Sequence, residues 1–286
     1  MAQKFKAILQ ALVYGNFWIC LGSISLVYFS EKIIKVPFQS LLALFIALST
    51  FSFYGISSLE FKKSCKTYSS AKEQFINSYQ NFFRISIILS WGISSILFFN
   101  LKNSSRWLIV GEALLVFLYN TPKFTQNYQH FSFRKIPGIK NGIISLIWAC
   151  NTVILPYLES GQSLWKIKFS MALLFLEIYL LLYSNTLLFD LKDFKRDQLE
   201  FTPTLARLWG FDLSKKLAMG LCLIGIFFLY YFKLLGDIPN WGLFLAFSLL
   251  FLGSAFSKPN QSPLYYWIGI DGILIIPGLW ILILKY

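Results

Sequence analysis

The chain has 286 residues, of which 56% are hydrophobic and 14% charged, with a formal net charge of +13. Soluble domains carry about 25% charge, so a soluble globular enzyme is excluded and one polytopic transmembrane domain is expected over residues 1–286. The positive excess is not a nucleic-acid footprint. Its lysines and arginines sit in short loops between apolar runs, where membrane topology puts them.

A bilayer-spanning helix needs about 20 mostly apolar residues. Nine such runs follow along the chain: Leu9–Phe29, Phe38–Leu59, Ile85–Leu101, Trp107–Thr121, Ile139–Leu158, Trp165–Phe189, Leu217–Leu235, Trp241–Phe256 and Leu264–Leu284. They are continuously apolar rather than alternating, so a β-barrel is excluded. The expected fold is an all-α integral membrane protein, a bundle of about nine transmembrane helices. With the N-terminus inside, 18 of the 26 Lys and Arg fall on the cytoplasmic side and 8 outside. The expectation is a bacterial plasma-membrane protein with a cytoplasmic N-terminus and an outside C-terminus. The stretch Lys62 to Arg84, with Phe75, Tyr79, Phe82 and Phe83, reads as an interfacial amphipathic helix.

The chemistry-bearing residues gather late in the chain. None of the 6 Asp precedes position 190, yet Asp190, Asp193 and Asp197 fall together in FDLKDFKRDQ. Spacing of i, i+3, i+7 puts them on one face of a continued helix. That arrangement suits a Mg²⁺ ion held together with a substrate phosphate. It equally suits a solvated helix end, with pairs such as Asp193–Arg196 or Arg196–Glu200. A basic stretch, YNTPKF then FRKIPGIKN, supplies Asn120, Lys123, Arg134, Lys135, Lys140 and Asn141 at the same membrane face. Such cations and amides bind phosphate oxygens; they also serve topology.

Within the runs lie Glu112, Glu177 and Asp271, with Asn16, Asn151 and Asn185. Intramembrane acids are functional candidates, or interhelical glue worth about 1 kcal/mol each. Asp271, Asn16 and Asn185 are placed to line a polar cavity below the aspartates.

Three stretches resemble the UbiA-type superfamily of intramembrane prenyltransferases: LYNTPKF with FRKIPGIKNGIISLIWA, then FDLKDFKRDQLEFTPTLARLWG, then YYWIGIDGILIIPGLW. The second is similar to that family's second aspartate-rich motif, followed by Thr202, Pro203 and Gly210. The resemblance implies a UbiA-like bundle that transfers a prenyl group from a polyprenyl diphosphate to a lipophilic or aromatic acceptor with Mg²⁺. It implies Asp190, Asp193 and Asp197 as metal ligands, and Lys123, Lys135 and Asn141 as diphosphate contacts. The family's first aspartate-rich motif, expected to close the second run, is missing. TFSFYGISSLEFKKS has Glu60 as its acid, and Lys62 and Lys63 follow. Cations there offset developing phosphate charge in place of a metal. The missing motif leaves two other readings open. One is a non-catalytic protein on the same scaffold that binds a lipid or a membrane partner. The other is a small proton-coupled transporter using Glu112, Glu177 and Asp271.

Overall fold

The computed structural model describes residues 9–64, 71–120, 136–199, 203–232 and 240–285. Among them there are helices and turns but no strands. Residues 9–14 form a helical turn that leads into α1 (Phe17–Ile33). There follow α2 (Ser40–Ser64), α3 (Ala71–Ser78), α4 (Gln80–Asn100) and α5 (Asn103–Asn120). Next come α6 (Ile139–Glu159), α7 (Phe169–Lys192), α8 (Phe194–Leu199) and α9 (Leu205–Trp209). The chain continues with α10 (Phe211–Tyr231), α11 (Trp241–Phe256) and α12 (Tyr265–Leu284).

Six of these helices are long and apolar enough to cross a membrane: α2 from Ser40 to Leu59, α4, α6, α7, α10 and α12. They coincide with six of the nine expected runs. The other three runs are helical where described, and α11 is a shorter apolar helix. The first is interrupted at Gly15–Asn16, where Asn16 takes a left-handed backbone with φ 62°. Short polar side chains tolerate that conformation better than other non-glycine residues.

Hydropathy alone does not say which helix is central; burial does. In α7, 61% of the spanning window is buried, against 22% in α4. Around α7 pack α6, α10, α11 and the first turns of α12, while α1 closes against α12, α2 and the middle of α6. Large apolar side chains such as Ile88, Trp91 and Phe99 of α4 and Tyr230 of α10 stay exposed. An apolar outer surface of this extent is suited to lipid rather than water.

Two helices are irregular, and both contain a proline, which cannot donate to the i→i−4 ladder. In α6 the turn Cys150–Ile154 is π-helical, just before Pro156. In α12 a π segment, Tyr265–Ile270, and a 3₁₀ turn, Ile273–Ile275, precede Pro277. Polar side chains from neighbours bond carbonyls in this irregular stretch: Trp18 Nε1 donates to Ile268 O at 3.3 Å, Asn185 Nδ2 to Ile270 O at 3.1 Å and Ser25 Oγ to Ile275 O at 2.7 Å. Asn185 is therefore interhelical glue.

Glu112 has a similar task. Asn151 Nδ2 donates to its Oε2 at 3.0 Å, joining α5 to the π turn of α6. Glu177 differs: it is 1% exposed, and neither carboxylate oxygen has a hydrogen-bond partner among the described residues. No hydrogen bond joins Glu112, Glu177 and Asp271 among the described residues. A buried polar group without a partner is destabilising, so Glu177→Met is expected to stabilise the protein by about 1–2 kcal/mol. Thermal unfolding in detergent, followed by tryptophan fluorescence, checks this; a lower midpoint for the variant would count against it.

Candidate functional site

The candidate site is built at one end of the bundle, where α7 ends and α1, α6 and α12 begin. Its first part comes from Pro137–Gly138. Gly138 has φ 80°, and a Cβ there would stand 2.9 Å from both Leu205 and Tyr183. Glycine alone fits this close approach. The Tyr183 hydroxyl donates to the Gly138 carbonyl at 3.4 Å. So anchored, α6 presents Lys140 and Asn141 from its first turn to the last turn of α7. Lys140 Nζ lies 3.0 Å from Asp190 Oδ1, and Asn141 Nδ2 donates to Oδ2 at 2.9 Å. Asp190 and Asn141 are each 1% exposed.

The expected single helix through the three aspartates is broken at Asp193, which caps α7 with φ −91° and ψ 4° before α8 begins. The Asp197 N–H still reaches the Asp193 carbonyl at 2.9 Å, so the turn is nearly preserved. Lys192 Nζ and Arg196 Nη2 each lie 3.0 Å from an Asp193 oxygen, the second being the pair expected from spacing. Burial pushes the Asp193 carboxyl upward, but these two cations outweigh it and hold the group below its ordinary value. Asp197 is 3% exposed; Arg196 approaches one oxygen at 4.0 Å, and the other has no hydrogen-bond partner among the described residues. Burial raises its pKa to about 6, with Lys140 opposing and Asp193 and Asp190 reinforcing.

The second part of the site was not legible in the sequence. Helix α3 leads into α4, as the amphipathic stretch suggested, and one of its faces is covered by protein. It is separated from α4 at Tyr79 and docks through aromatic rings. Phe75 packs edge-on against Tyr14 at 5.7 Å, and Tyr14 against Trp267 of α12 at 5.3 Å. Edge-to-face pairs contribute about 0.5–1.5 kcal/mol each beyond burial. This docking carries Lys72 over the Trp267 ring, with Nζ 5.7 Å from the centroid. Lys192 of α7 lies over the same ring at 4.9 Å. Lys72 Nζ also donates to Asn16 Oδ1 at 2.8 Å. Asn16 thus joins the site through this bond to Lys72, and Asp271 lies near enough to act on Lys72 electrostatically. Lys192 was expected only to offset the acids of FDLKDFKRDQ, Trp267 lay in YYWIGIDGILIIPGLW without a role, and Lys72 fell in no motif. The one signal for Lys72 was its place on an amphipathic stretch beside Phe75.

Lys123 and Lys135 lie outside the described residues, as do Arg134 and Glu200. Side-chain positions of Asn120, Glu60, Lys62 and Lys63 also fall outside them. Asn141 is described, and its amide is bonded to Asp190.

Whether these residues fit a metal turns on their oxygens. Asp190 has both bonded to Lys140 and Asn141, and Asp193 has both paired with Lys192 and Arg196. Asp197 offers one unpartnered oxygen. Among the described residues no three His, Cys, Asp or Glu side chains form a group suited to a metal ion. Mg²⁺ demands a near-octahedral set of oxygens. As arranged, the three aspartates are acceptors for ammonium, guanidinium and amide donors and do not fit a resident Mg²⁺.

No family model matches the chain, and no curated protein sequence matches it. Solved structures do. A UbiA homologue from Archaeoglobus fulgidus, determined bound to GPP and Mg²⁺, is similar with a TM-score of 0.61 and 12% identity, over 94% of this chain and 98% of that one. A digeranylgeranylglyceryl phosphate synthase is similar with a TM-score of 0.52 and 17% identity, over 98% of this chain and 96% of that one. Nearly the whole length of each chain takes part in the likeness. The chain has the fold of the UbiA-type intramembrane prenyltransferases.

Proposed function

We propose that the chain binds a polyprenyl diphosphate at the end of the bundle that carries Asp190, and transfers its prenyl group to a lipophilic or aromatic acceptor. The observation that carries this reading is the buried pair Asn141–Asp190 with the half-exposed Lys140 on the same carboxylate, at the end of α7 where Lys192 pairs with Asp193 and approaches the Trp267 ring that Lys72 also approaches. Donors of this kind bind phosphate oxygens, and the apolar bundle beside them suits an isoprenoid chain. The similar fold has been found bound to GPP and Mg²⁺ in the A. fulgidus homologue. Lys123 and Lys135 are proposed as further diphosphate contacts from the adjoining stretch. The site is proposed to face the cytoplasm, on the lysine and arginine distribution.

In this role the chain's own groups bind and orient. Lys72, Lys140 and Lys192 neutralise the leaving diphosphate, and electrostatic stabilisation of developing charge is usually a leading catalytic contribution. Asp190 and Asp193 hold Lys140 and Lys192 in place until phosphate oxygens compete for them. A second reading keeps Asp190, Asp193 and Asp197 as ligands of Mg²⁺, favoured by the unpartnered oxygen of Asp197. It requires Lys140 and Lys192 to leave their carboxylates first.

The test is release of diphosphate from geranyl or longer prenyl diphosphates by purified protein with aromatic and lipid acceptors. Release by wild type and its loss in Asp190→Ala and Asp193→Ala are expected. No release, or release by both variants equal to wild type, would sink the transfer reading. Binding without release would place the chain among non-catalytic lipid binders on this fold.

A further inference from the structure

The ammonium groups of Lys72 and Lys192 both approach the Trp267 ring, at 5.7 and 4.9 Å from its centroid, near enough for each charge to act on the other. Like charges held together by a fold are costly unless a counter-charge accompanies them. Lys192 has Asp193 at 3.0 Å. Lys72 has no carboxylate within ion-pair distance among the described residues, and its bond is to the neutral amide of Asn16. That bond fixes the orientation of the amide, since an ammonium only donates and must meet the oxygen. The nitrogen on the other side, Asn16 Nδ2, is buried with no hydrogen-bond partner among the described residues, and the residue is 3% exposed. A buried unpaired donor is destabilising, and so is the left-handed backbone that places it, at φ 62°. Two ammonium groups and an orphaned N–H are all donors; Asp193 pairs with Lys192 alone, and Lys72 and Asn16 Nδ2 have no anionic acceptor in contact among the described residues.

We propose that Lys72, Lys192 and Asn16 form a metal-independent site for the phosphate end of an isoprenoid diphosphate, with the ammonium groups over Trp267 doing the charge neutralisation that metal ions would otherwise do. The proposal rests on the reading that a prenyl diphosphate binds at this end of the bundle and deepens it. It accounts for the mismatch between the aspartates and a resident Mg²⁺: their oxygens are taken by Lys140, Asn141, Lys192 and Arg196. It also accounts for the docking of α3 by Tyr14 and Phe75 on Trp267, because that packing carries Lys72 to the site.

Burial, then the charge of Lys192, lowers the Lys72 pKa from 10.5 to about 8, against the pull of Asp271 and Asp193. Lys72 is therefore charged at pH 7 and loses its charge just above. An anion seated on it reverses that shift. Affinity should accordingly fall as pH rises through about 8.

The experiment is calorimetric binding of inorganic pyrophosphate, and of geranyl diphosphate, to the full chain in detergent, with EDTA and separately with Mg²⁺. The expected result is binding in EDTA within about threefold of that in Mg²⁺. Lys72→Met should weaken EDTA binding by about 10- to 100-fold. Asn16→Gly deletes the amide while keeping the left-handed backbone, and should weaken it by about three- to tenfold. Lys72→Arg keeps a charge that does not titrate; it should retain binding and remove the fall above pH 8. Binding that needs Mg²⁺ would overturn the metal-independent site while leaving the proposed function standing. No binding in either medium by protein that elutes as a single folded species would overturn both. Unchanged EDTA binding in Lys72→Met would assign the anion to other residues and overturn this proposal alone.

Discussion

Asp190→Ala is expected to destabilise the detergent-solubilised protein by about 2–3 kcal/mol, with most of the effect passing through Asn141 rather than Lys140. Lys140 is 47% exposed along its side chain, so its ammonium returns to water when the carboxylate is removed. Exposed ion pairs contribute little for this reason. Asn141 has no such exit. It is 1% exposed, and its Nδ2 donates to Asp190 Oδ2 at 2.9 Å. Truncation leaves that N–H buried without an acceptor and opens a small hole at the α6–α7 contact. The two residues should therefore be strongly coupled. In a double-mutant cycle, Asn141→Ala should cost clearly less in the Asp190→Ala background than in wild type, with a coupling of about 1 kcal/mol or more. Lys140→Ala should show a coupling to Asp190 of about 0.5 kcal/mol or less. Equal coupling of both partners, read from thermal or denaturant unfolding, would show that the ion pair and not the buried amide dominates.

The unequal legibility of this site in the sequence has a physical origin. Asp193 with Arg196 was readable because i, i+3 neighbours on a helix meet whatever the tertiary structure does. The bonds of Lys140 and Asn141 to Asp190 cross about 50 positions, and no local pattern encodes them. Apolar runs marked the helices well, since every backbone polar group in lipid must be satisfied within a helix or barrel. They placed the ends less well. Helix α4 begins at Gln80 rather than Ile85, because polar and aromatic residues at a membrane surface extend a helix without raising hydropathy. The docking partners of helix α3 were not legible for a related reason. Phe75 and Ile76 make an apolar face, and a face alone does not say whether lipid or protein covers it. Here Phe75 meets Tyr14 and Phe83, and Ile76 is 4% exposed.

The same limit explains Lys72. On the sequence it was one of many loop cations that set topology. Only the docking of α3 separates it from the others, by placing it on Trp267 beside Asn16. The missing first aspartate-rich motif was legible. The substitute proposed for it, Lys72, was not, since only the docking of α3 brings that residue to Asn16 and Trp267.

Gly278→Ala is expected to be among the most destabilising single-methyl additions in the chain, at about 2–3 kcal/mol, and Gly278→Val more so. In α12 a Cβ at this position would stand 2.5 Å from the Ser25 carbonyl oxygen and Oγ, and 2.9 Å from its Cα. Two of those three atoms are backbone, so no rotamer change relieves the clash; α1 and α12 must separate. Separation also breaks the bonds that join them. Ser25 Oγ donates to Ile275 O at 2.7 Å and accepts from the Gly278 N–H at 3.0 Å. Small residues at helix contacts in membranes work in this way, because lipid supplies no hydrophobic drive and close backbone approach provides the packing. The internal control is Gly92 of α4, where a Cβ would meet nothing within 4 Å. Gly92→Ala should be neutral or stabilising by up to about 1 kcal/mol, since alanine favours the helix. Ser25→Gly in the Gly278→Ala background removes the Oγ contact but leaves the carbonyl contact, so rescue should be partial. Unfolding midpoints of the four proteins decide it: equal effects of the two glycine substitutions would mean that helix propensity, and not the α1–α12 contact, governs both.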